Sequence, residues 1–355
     1  MQIKEYKCPN CGGAVKFDSS TQKMKCPYCD AEFEMTAIEE YQKELAVPAN
    51  DKVDWKSKSE VQAWEGSELN DLSMGSCPSC GAELIGDKNT VAMVCPCCGN
   101  SQIVSRRLSG LLKPNYLIPF KLEKKSAVEA LKKFYQGKRL LPDSFKHENN
   151  VNNIQGIYVP FWLFDAKAKA HIRYKATRTT FWSDSNYNYT KTDYYSVVRD
   201  GSMGFEKVPA DGSEKMDDAY MDAIEPFDYS QIKDFQTAFL SGYSAEKSKE
   251  RAGQRIKTTI ENEFARSVSG YASVMKESSS VNVESAAVSY ALFPVWILNT
   301  KYRNVNFQFI MNGESGRLVG KLPVDPAKSW KYRLMLTGII GAVSTLVIQA
   351  LRIFL

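Results

Sequence analysis

Cysteine spacing constrains this chain more than any other feature, because eight of its nine cysteines form a repeated C-x2-C-x14-C-x2-C unit. Every cysteine of the second unit lies 69 residues after its counterpart in the first. Paired C-x2-C knuckles at this separation are typical of a tetrahedral four-thiolate zinc site. The sequence therefore predicts two zinc ribbons with two structural Zn²⁺ ions. The predicted ligands are Cys8, Cys11, Cys26 and Cys29 in the first ribbon, and Cys77, Cys80, Cys95 and Cys98 in the second.

The residue after each cysteine pair supports this interpretation. It is Gly12, Asp30, Gly81 or Gly99. A tight knuckle needs a residue that tolerates positive φ, so that backbone N–H groups turn toward the sulfurs. Glycine adopts that conformation without strain, and aspartate adopts it more readily than most residues. We therefore predict positive φ at all four positions.

Two other uses of the cysteines are considered. Each unit could carry two disulfides, or a rubredoxin-like iron instead of zinc. No secretory signal is recognisable at the N-terminus, which favours reduced thiols. The ninth cysteine, Cys97, aligns with Tyr28 of the first unit, so we predict a free thiol in the knuckle and not a ligand.

Charge argues against nucleic acid as the partner of the ribbons. The formal net charge of the chain is +5, but up to Gly110 there are 12 Lys and Arg against 16 Asp and Glu. Nucleic-acid-binding surfaces normally carry a basic stripe, since phosphate contacts supply most of the non-specific affinity. A zinc-ribbon nucleic-acid-binding protein is therefore kept only as an alternative function.

Motifs for catalysis are missing from the sequence. The two histidines, His147 and His171, stand in no metal spacing and beside no nucleophile motif. There is no G-x-S-x-G, phosphate-binding glycine loop or dinucleotide fingerprint. We expect no enzyme activity. The remaining alternative is an enzyme acting on envelope or lipid substrates, with a site hidden at Asp217, Asp218 or an aromatic hairpin.

The composition along the chain predicts an α+β protein with two N-terminal ribbons and one C-terminal transmembrane helix. The predicted segments are zinc ribbon 1 (1–35), a polar acidic linker with a short helix (36–75), zinc ribbon 2 (76–105), a central α+β domain (112–325) and the transmembrane helix (334–355).

Within the central domain, Ser126-x-x-Glu129 predicts a helix start through a capping box. The helix carries a Lys- and Arg-rich face across 124–139, which is either a solvated face or a contact with anionic lipid. Alternating residues on both sides of Ser-Asp-Ser-Asn predict a hairpin whose aromatic residues form sheet faces. A second helix is predicted over 246–268.

A weak internal repeat relates 159–165 to 293–299, at an offset of 134 residues. Each copy follows a predicted helix, which suggests a duplicated helix-plus-sheet unit. Convergent patterning of two strands is the alternative.

The C-terminal segment Leu334 to Leu351 holds eighteen residues without a charge. About 20 apolar residues suffice for a helix to cross the hydrocarbon core. Three cations, Lys328, Lys331 and Arg333, precede the segment, and Arg352 follows it. The positive-inside bias then places residues 1–333 in the cytoplasm, on a single-pass anchor in the cell membrane. A buried soluble helix and a shortened two-segment hairpin are the alternatives.

Several stretches together resemble a bacterial family of TFIIB-type zinc-ribbon proteins, over nearly the whole chain. They are the paired ribbons, I-P-F-K-L-E-K-K at 118–125, V-P-F-W-L-F-D-A at 159–166, P-V-W-I-L-N-T-K at 294–301 and G-K-L-P-V-D at 320–325. Members are also labelled primosomal helicase-like, but this chain has no helicase motif. The resemblance implies a membrane-associated partner of flotillin-like (SPFH) and phage-shock-protein-A-like proteins, with a role in membrane stress. Only the eight cysteine ligands carry over residue by residue. The expected function is a membrane-anchored cytoplasmic adaptor or scaffold that binds protein partners through its zinc ribbons.

Overall fold

The computed structural model describes residues 6–47, 51–55, 72–87, 95–100, 104–106, 112–213, 216–231, 239–240 and 245–354. These residues form a mixed α+β protein, as the sequence predicts. Its described helices are α1 Met35–Leu45, α2 Lys124–Tyr135, α3 Glu148–Val151, α4 Asp218–Ala223, α5 Ala245–Arg266 and α6 Pro326–Phe354. Its described strands are β1 Tyr6–Lys7, β2 Ala14–Asp18, β3 Lys23–Lys25, β4 Glu32–Phe33, β5 Lys52–Asp54, β6 Leu72–Ser76, β7 Glu83–Asp87, β8 Val104–Arg106, β9 Tyr116–Leu117, β10 Gln155–Ser183, β11 Asn188–Asp211, β12 Phe239–Leu240, β13 Ser273–Tyr302, β14 Val305–Asn312 and β15 Leu318–Gly320.

The chain divides into two compact units, and each takes several segments of sequence. Unit 1 consists of Met1–Ser59, Phe164–Val208 and Lys249–Val288. Unit 2 consists of Glu60–Leu163, Pro209–Ser248 and Ser289–Leu355. The first cysteine group therefore lies in unit 1 and the second in unit 2. The domain boundaries given above stay a prediction.

Unit 1 begins with the first ribbon, a four-stranded antiparallel sheet in the order β1-β2-β3-β4. Helix α1 follows this sheet closely. It begins at Met35, one residue before Thr36, where the short helix of the linker is predicted to start. Its Ile38 is fully buried against Val15 and Met24 of the ribbon and against two of the cysteines. The apolar core of the ribbon is therefore very small, as expected for a segment that depends on metal.

The rest of unit 1 is a longer sheet in which β10 lies between β11 and β13, and β5 pairs in parallel with β13. Helix α5 covers this sheet, with Ile256 and Ile260 packed against Ile172 and Val281. The helix predicted over 246–268 is thus confirmed. Residues 51–55 lie in the predicted linker, which we expect to be partly ordered by Trp55 and Trp64. They form a strand paired with β13, and the Trp55 and Phe164 ring centroids are 4.9 Å apart. Trp64 lies outside the described residues.

The predicted hairpin is also confirmed, since β10 ends at Ser183 and β11 begins at Asn188. Its outer aromatic side chains lie on the faces of these two strands, as expected, but nothing in the described part of the chain covers them. All residues from 180 to 192 are exposed. The alternation of residues predicted the strands correctly, but it could not show how far they extend beyond the residues that pack against them.

Unit 2 contains the second ribbon, a sheet in the order β12-β7-β6-β8. Next to it, β13 pairs with β14 in a register that places Val295 opposite Asn312. The repeat segments of the sequence lie on β10 and β13, where Phe161 and Phe293 stack with ring centroids 4.4 Å apart. Both interpretations of the repeat fit this placement.

Helix α2 packs in unit 2 through Ala127, Leu131 and Tyr135, and the Tyr135 ring lies edge-on to Phe309. The capping-box prediction is wrong. The helix starts at Lys124, and the Ala127 N–H already donates to the Glu123 carbonyl at 3.0 Å. Ser126 is therefore inside the first turn and has no orphan N–H group to cap.

Helix α6 starts from a defined cap in unit 2. The Asp325 carboxylate accepts from the N–H of Ala327 at 2.9 Å, and the Asp325 N–H donates to the Leu140 carbonyl at 2.8 Å. Lys328 Nζ donates to the Leu141 carbonyl at 2.9 Å and to Asp143 at 2.6 Å. The first turn of α6 is thereby fixed to the segment that follows α2.

Beyond that turn, α6 is exposed. The 24 residues Pro326–Gln349 form a helix that is long and apolar enough to cross a membrane, and none of its most apolar window is buried by protein. Large apolar side chains such as Leu346 and Ile340 point away from any protein core. A helix that is apolar on all sides and uncovered is typical of a membrane span.

Candidate metal centres

Each ribbon builds its cysteine group from two tight knuckles. In the first, the Cys8 N–H donates to the Gly13 carbonyl at 2.7 Å, and the Gly12 N–H donates back to Cys8 at 2.9 Å. The second knuckle repeats this pattern between Cys26 and Ala31 at 2.9 Å. The second ribbon uses the same bonds in both of its knuckles. The predicted positive φ is confirmed at all four turn positions: Gly12 (76°), Asp30 (55°), Gly81 (70°) and Gly99 (75°).

The knuckles bring four sulfurs together in each ribbon, all within 4.8 Å of one another. The Sγ atoms of Cys8 and Cys29 are 3.7 Å apart, and those of Cys11 and Cys26 are 3.5 Å apart. The second ribbon has 3.6 Å for both matching pairs. A tetrahedron with metal–sulfur bonds of about 2.3 Å has edges of about 3.8 Å. Each group therefore fits a single ion.

The same distances exclude the disulfide interpretation. A disulfide requires sulfurs about 2.05 Å apart, and all nine cysteines are free. Cys97 is not a member of either four-sulfur group. The two groups could each hold a metal ion, and their all-thiolate donor set suits zinc or an iron centre.

The acidity of the thiols fits a site that needs a cation. Burial opposes ionisation at Cys26 and Cys77, but backbone N–H groups of their own knuckles outweigh it and lower both pKa values to about 7. Burial raises the pKa values of Cys8, Cys80 and Cys98. Four close thiols cannot all ionise without a compensating charge, and a divalent ion supplies that charge.

The first ribbon is docked onto the long sheet of unit 1 through its first knuckle. Lys175, on β10, donates from Nζ to the Pro9 carbonyl at 2.9 Å and to the Asn10 carbonyl at 3.1 Å. Arg173, two residues earlier on the same face, lies 5.8 Å from the Tyr41 ring centroid and bonds Glu277. Charged groups of β10 thus hold the knuckle and α1 in place.

His171 extends this row of contacts to a third position. Its Nε2 lies 2.9 Å from Glu44 of α1, and its Nδ1 lies 2.9 Å from Asp200 of β11. The hydrogen bond to Asp200, with a further one to Glu44, raises the pKa of His171 in spite of partial burial. The His171 side chain is half-buried. No local spacing in the sequence marks this bridge, because Glu44 is distant along the chain.

A pH dependence follows from this bridge. Because the folded pKa of His171 is raised, its contribution is fully present below the unfolded value of about 6.5 and is lost as pH rises through the folded pKa. We expect His171→Gln to destabilise the protein by about 1 kcal/mol or less at low pH and by less at high pH. Thermal unfolding at several pH values measures this difference, with His147→Gln as the control. A difference that does not change with pH would refute the assignment.

The second ribbon is held within unit 2 through its second knuckle. The Asn299 side-chain amide donates to the Pro96 carbonyl, and Gln308 Nε2 donates to the Cys97 carbonyl at 3.4 Å. Cys97 also packs against the apolar core around Phe293. The extra thiol is therefore part of a packing surface, which explains its place in the knuckle without any role as a ligand.

The two ribbons are thus held by opposite knuckles. Cys97 and Tyr28 occupy equivalent positions in the repeat, but Cys97 is half-buried while Tyr28 is 74% exposed. The Tyr28 ring lies against the backbone of Gly13, where an added Cβ would come within 2.6 Å of it. In the first ribbon, the second knuckle consequently remains open and carries an aromatic side chain.

One candidate for a hidden enzyme site, Asp217, has a structural role in unit 2, where it caps α4 by accepting from the Ala219 N–H at 2.9 Å. The aromatic hairpin lies in unit 1. Within the described residues, the only groups of three or more potential metal ligands are the two cysteine groups.

Comparison with known proteins places the chain in a family. No family model and no solved structure matches it. The "Uncharacterized protein YdjG" of Bacillus subtilis (strain 168) is 34% identical over 335 residues, which cover 92% of each chain. The chain belongs to the same family as YdjG.

Proposed function

We propose that this protein is a membrane-anchored adaptor, with zinc in both ribbons and its soluble part on the cytoplasmic side. The observation that carries the proposal is the pairing of two preformed four-thiolate groups with an exposed apolar helix long enough to span a bilayer. The proposal includes no enzyme activity.

We assign zinc to both sites because it is the usual ion of structural ribbons with four cysteine ligands. A closed tetrahedral site with four protein ligands leaves no open position for substrate or water. The ribbons themselves have only small apolar cores, so the ion replaces a hydrophobic core. A thiolate-bound ion also persists best in a reducing compartment, which agrees with the cytoplasmic side.

Charge at the two ends of α6 supports the orientation. Lys328, Lys331 and Arg333 lie on its N-terminal side, against Arg352 near the other end. The positive-inside bias places the end with more cations in the cytoplasm. Lys328 also donates a hydrogen bond to the Leu141 carbonyl in the soluble part of unit 2. The N-terminal end of α6 is therefore on the same side of the membrane as this soluble part.

The open knuckle around Tyr28 is the surface we assign to a protein partner. In the opposite knuckle of the same ribbon, the carbonyls of Pro9 and Asn10 are already bonded to Lys175. A large exposed aromatic on a rigid, metal-held turn is the kind of anchor that contributes most at protein interfaces. The resemblance noted from the sequence suggests flotillin-like (SPFH) or phage-shock-protein-A-like proteins and a role in membrane stress.

Affinity capture from detergent-solubilised membranes tests this function. We expect the wild-type protein to recover a membrane-stress protein, and Tyr28→Ala to lose it while keeping both metal ions. Val305→Ala, which also removes an exposed apolar side chain, is the matched control and should keep the partner. Recovery of nucleic acid instead would favour the first alternative. Undiminished capture by Tyr28→Ala would exclude the assigned surface.

The basic helix α2 is assigned to anionic lipid. Its C-terminal end is followed by Lys138 and Arg139, directly before the carbonyls that bind Asp325 and Lys328 at the start of α6. The segment after α2, which carries Lys138 and Arg139, is therefore close to the start of α6, where we expect the helix to enter the bilayer. Each cation near an anionic surface contributes about 1 kcal/mol at most.

A chain ending at Trp330 tests this assignment, because it keeps the contacts of Asp325 and Lys328. We expect weak binding to anionic vesicles and none to neutral ones, measured by co-sedimentation. Replacing Lys133, Lys138 and Arg139 with Gln should reduce the binding further. Equal binding to both kinds of vesicle, or none to either, would show that the basic face is only solvated.

A further inference from the structure

The end of the hairpin in unit 1 forms a two-stranded arm, which we define as residues 179–192. Its strands are paired to the end, because Thr179 and Thr192 face each other with their hydroxyls 3.5 Å apart and the Asp184 N–H donates to the Tyr187 carbonyl at 3.0 Å. Each strand of the arm has five residues, 179–183 and 188–192, so it is roughly 17 Å long at about 3.4 Å per residue.

No described part of the chain covers the arm. Every residue from 180 to 192 is exposed, whereas neighbouring positions of β10 and β11 alternate with buried or half-buried ones. A two-stranded hairpin without a third strand or a helix against it has little stability of its own. An arm of this kind is therefore expected to gain stability from something outside the chain.

Aromatic side chains dominate the end of the arm. Phe181 is 74% exposed, Trp182 49%, Tyr187 67% and Tyr189 39%. Trp182 and Tyr189 lie opposite each other across the two strands, with ring centroids 5.4 Å apart and planes at 10°. Trp182, Tyr187 and Tyr189 lie on one face of the arm, with the Tyr187 and Tyr189 ring centroids 6.3 Å apart. Phe181 lies on the other face, because successive side chains of a strand alternate. The end of the arm is therefore apolar on both faces, with hydroxyl and indole N–H groups at its margin.

Charge is nearly absent from this surface. Between 180 and 190 the only charged residue is Asp184. Its carboxylate accepts from the N–H groups of Asn186 and Tyr187, both at 2.8 Å, and from the Tyr189 hydroxyl at 2.9 Å. The arm thus satisfies its one anion internally, and its one cation, Lys191, pairs with Asp193 at 3.0 Å.

We propose that the arm inserts its aromatic end into the interfacial region of the lipid bilayer, between headgroups and acyl chains. Tryptophan and tyrosine favour this region because their rings are apolar and their N–H and O–H groups stay hydrated. The inference rests on the proposed anchoring by α6. A span in the same chain keeps a bilayer at high effective concentration, so even weak insertion is populated.

Because the aromatic end of the arm, residues 180–190, contains no basic residue, we expect its insertion to be independent of lipid charge. In this the arm differs from helix α2, which is assigned above to anionic lipid. In the chain anchored by α6, the arm should therefore insert into neutral phosphatidylcholine as well as into anionic membranes. Without the span, its insertion is too weak to hold the chain on vesicles.

The test uses the full chain in neutral phosphatidylcholine nanodiscs that contain lipid brominated on the acyl chain near the headgroup. Subtracting the fluorescence of Trp182→Phe from that of the wild type gives the signal of Trp182. The same subtraction with Trp330→Phe gives the signal of Trp330. Trp330 is an exposed residue in the first turns of α6, and it reports whether the span is inserted. A third variant, Trp162→Phe, reports a buried side chain and serves as the negative control.

We expect the Trp182 signal to lose most of its intensity to the brominated lipid, comparably to Trp330, while the Trp162 signal is retained. Phe181→Ser with Trp182→Ser should leave the protein folded with both metal ions bound. Quenching of Trp330 without quenching of Trp182 would overturn the inference and leave the anchoring intact. If the arms of two copies crosslink to each other and Trp182 is not quenched, the inference would likewise be overturned and the anchoring left intact. Loss of quenching at both positions would refute the anchoring and the arm's role with it.

Discussion

Replacing Cys26 with serine is expected to lower the bound zinc from two ions per chain to one and to unfold the first ribbon. In small zinc-dependent domains at neutral pH, the binding of structural zinc contributes roughly 10–16 kcal/mol to the free energy of folding. Among the described residues, the ribbon and α1 together form a cluster of only five buried apolar residues, and two of them are cysteines of the site. Metal analysis together with protease sensitivity of residues 6–33 measures both effects.

The second ribbon should keep its ion in this variant, because it lies in the other compact unit. Cys97→Ser is the matched control, since it alters a knuckle cysteine outside the four-sulfur group. It should retain two ions. A Cys26→Ser protein that still binds two ions, or a Cys97→Ser protein that loses one, would show that the ligand assignment is wrong.

Introducing two arginines into the middle of α6, at Ile340 and Val343, is expected to move the protein from the membrane to the soluble fraction. Each arginine at the centre of a bilayer costs about 2.5–3.5 kcal/mol on insertion scales, and together they cost roughly twice that. Both native side chains are more than half exposed, so the substitutions disturb no protein core. Membrane fractionation measures the shift.

Ile340→Leu with Val343→Leu is the matched control, because it changes the same positions without adding charge. We expect that protein to stay in the membrane fraction. Retention of the double arginine variant after an alkaline wash would mean that something other than α6 holds the protein. The basic face of α2 and the aromatic arm would then be the first contacts to remove.

The metal sites could be predicted from the sequence because their geometry is local. A C-x2-C pair closes a turn of a few residues, and the turn dictates a positive φ at the next position, as Gly12 and Asp30 show. The span of α6 was equally predictable, since length and apolar composition alone determine whether a helix can cross a bilayer. In both cases the relevant residues are neighbours in sequence.

The docking of the ribbons could not be predicted in the same way. The bond from Lys175 to Pro9 joins positions 166 residues apart, and the His171–Glu44 pair spans 127. Neither partner looks unusual in its own segment. Residues 51–55 were assigned to a linker for the same reason, because their polar composition conceals a strand that pairs with β13. Such contacts depend on the assembled sheet, and a single sequence contains no signal for them.

The orientation across the membrane can be checked by one added cysteine at Thr21, an exposed turn position of the first ribbon. An impermeant thiol reagent applied to intact cells should leave this residue unlabelled and should label it after lysis. Labelling before lysis would place the ribbons outside and would exclude a cytoplasmic adaptor.

We propose that one chain combines two zinc sites with a membrane anchor. The metal content of the protein extracted with detergent from alkaline-washed membranes tests both features together. We expect the protein to stay in the washed membranes and to contain about two zinc ions per chain, one for each cysteine group. Protein released by the wash, or membrane-bound protein without zinc, would contradict it.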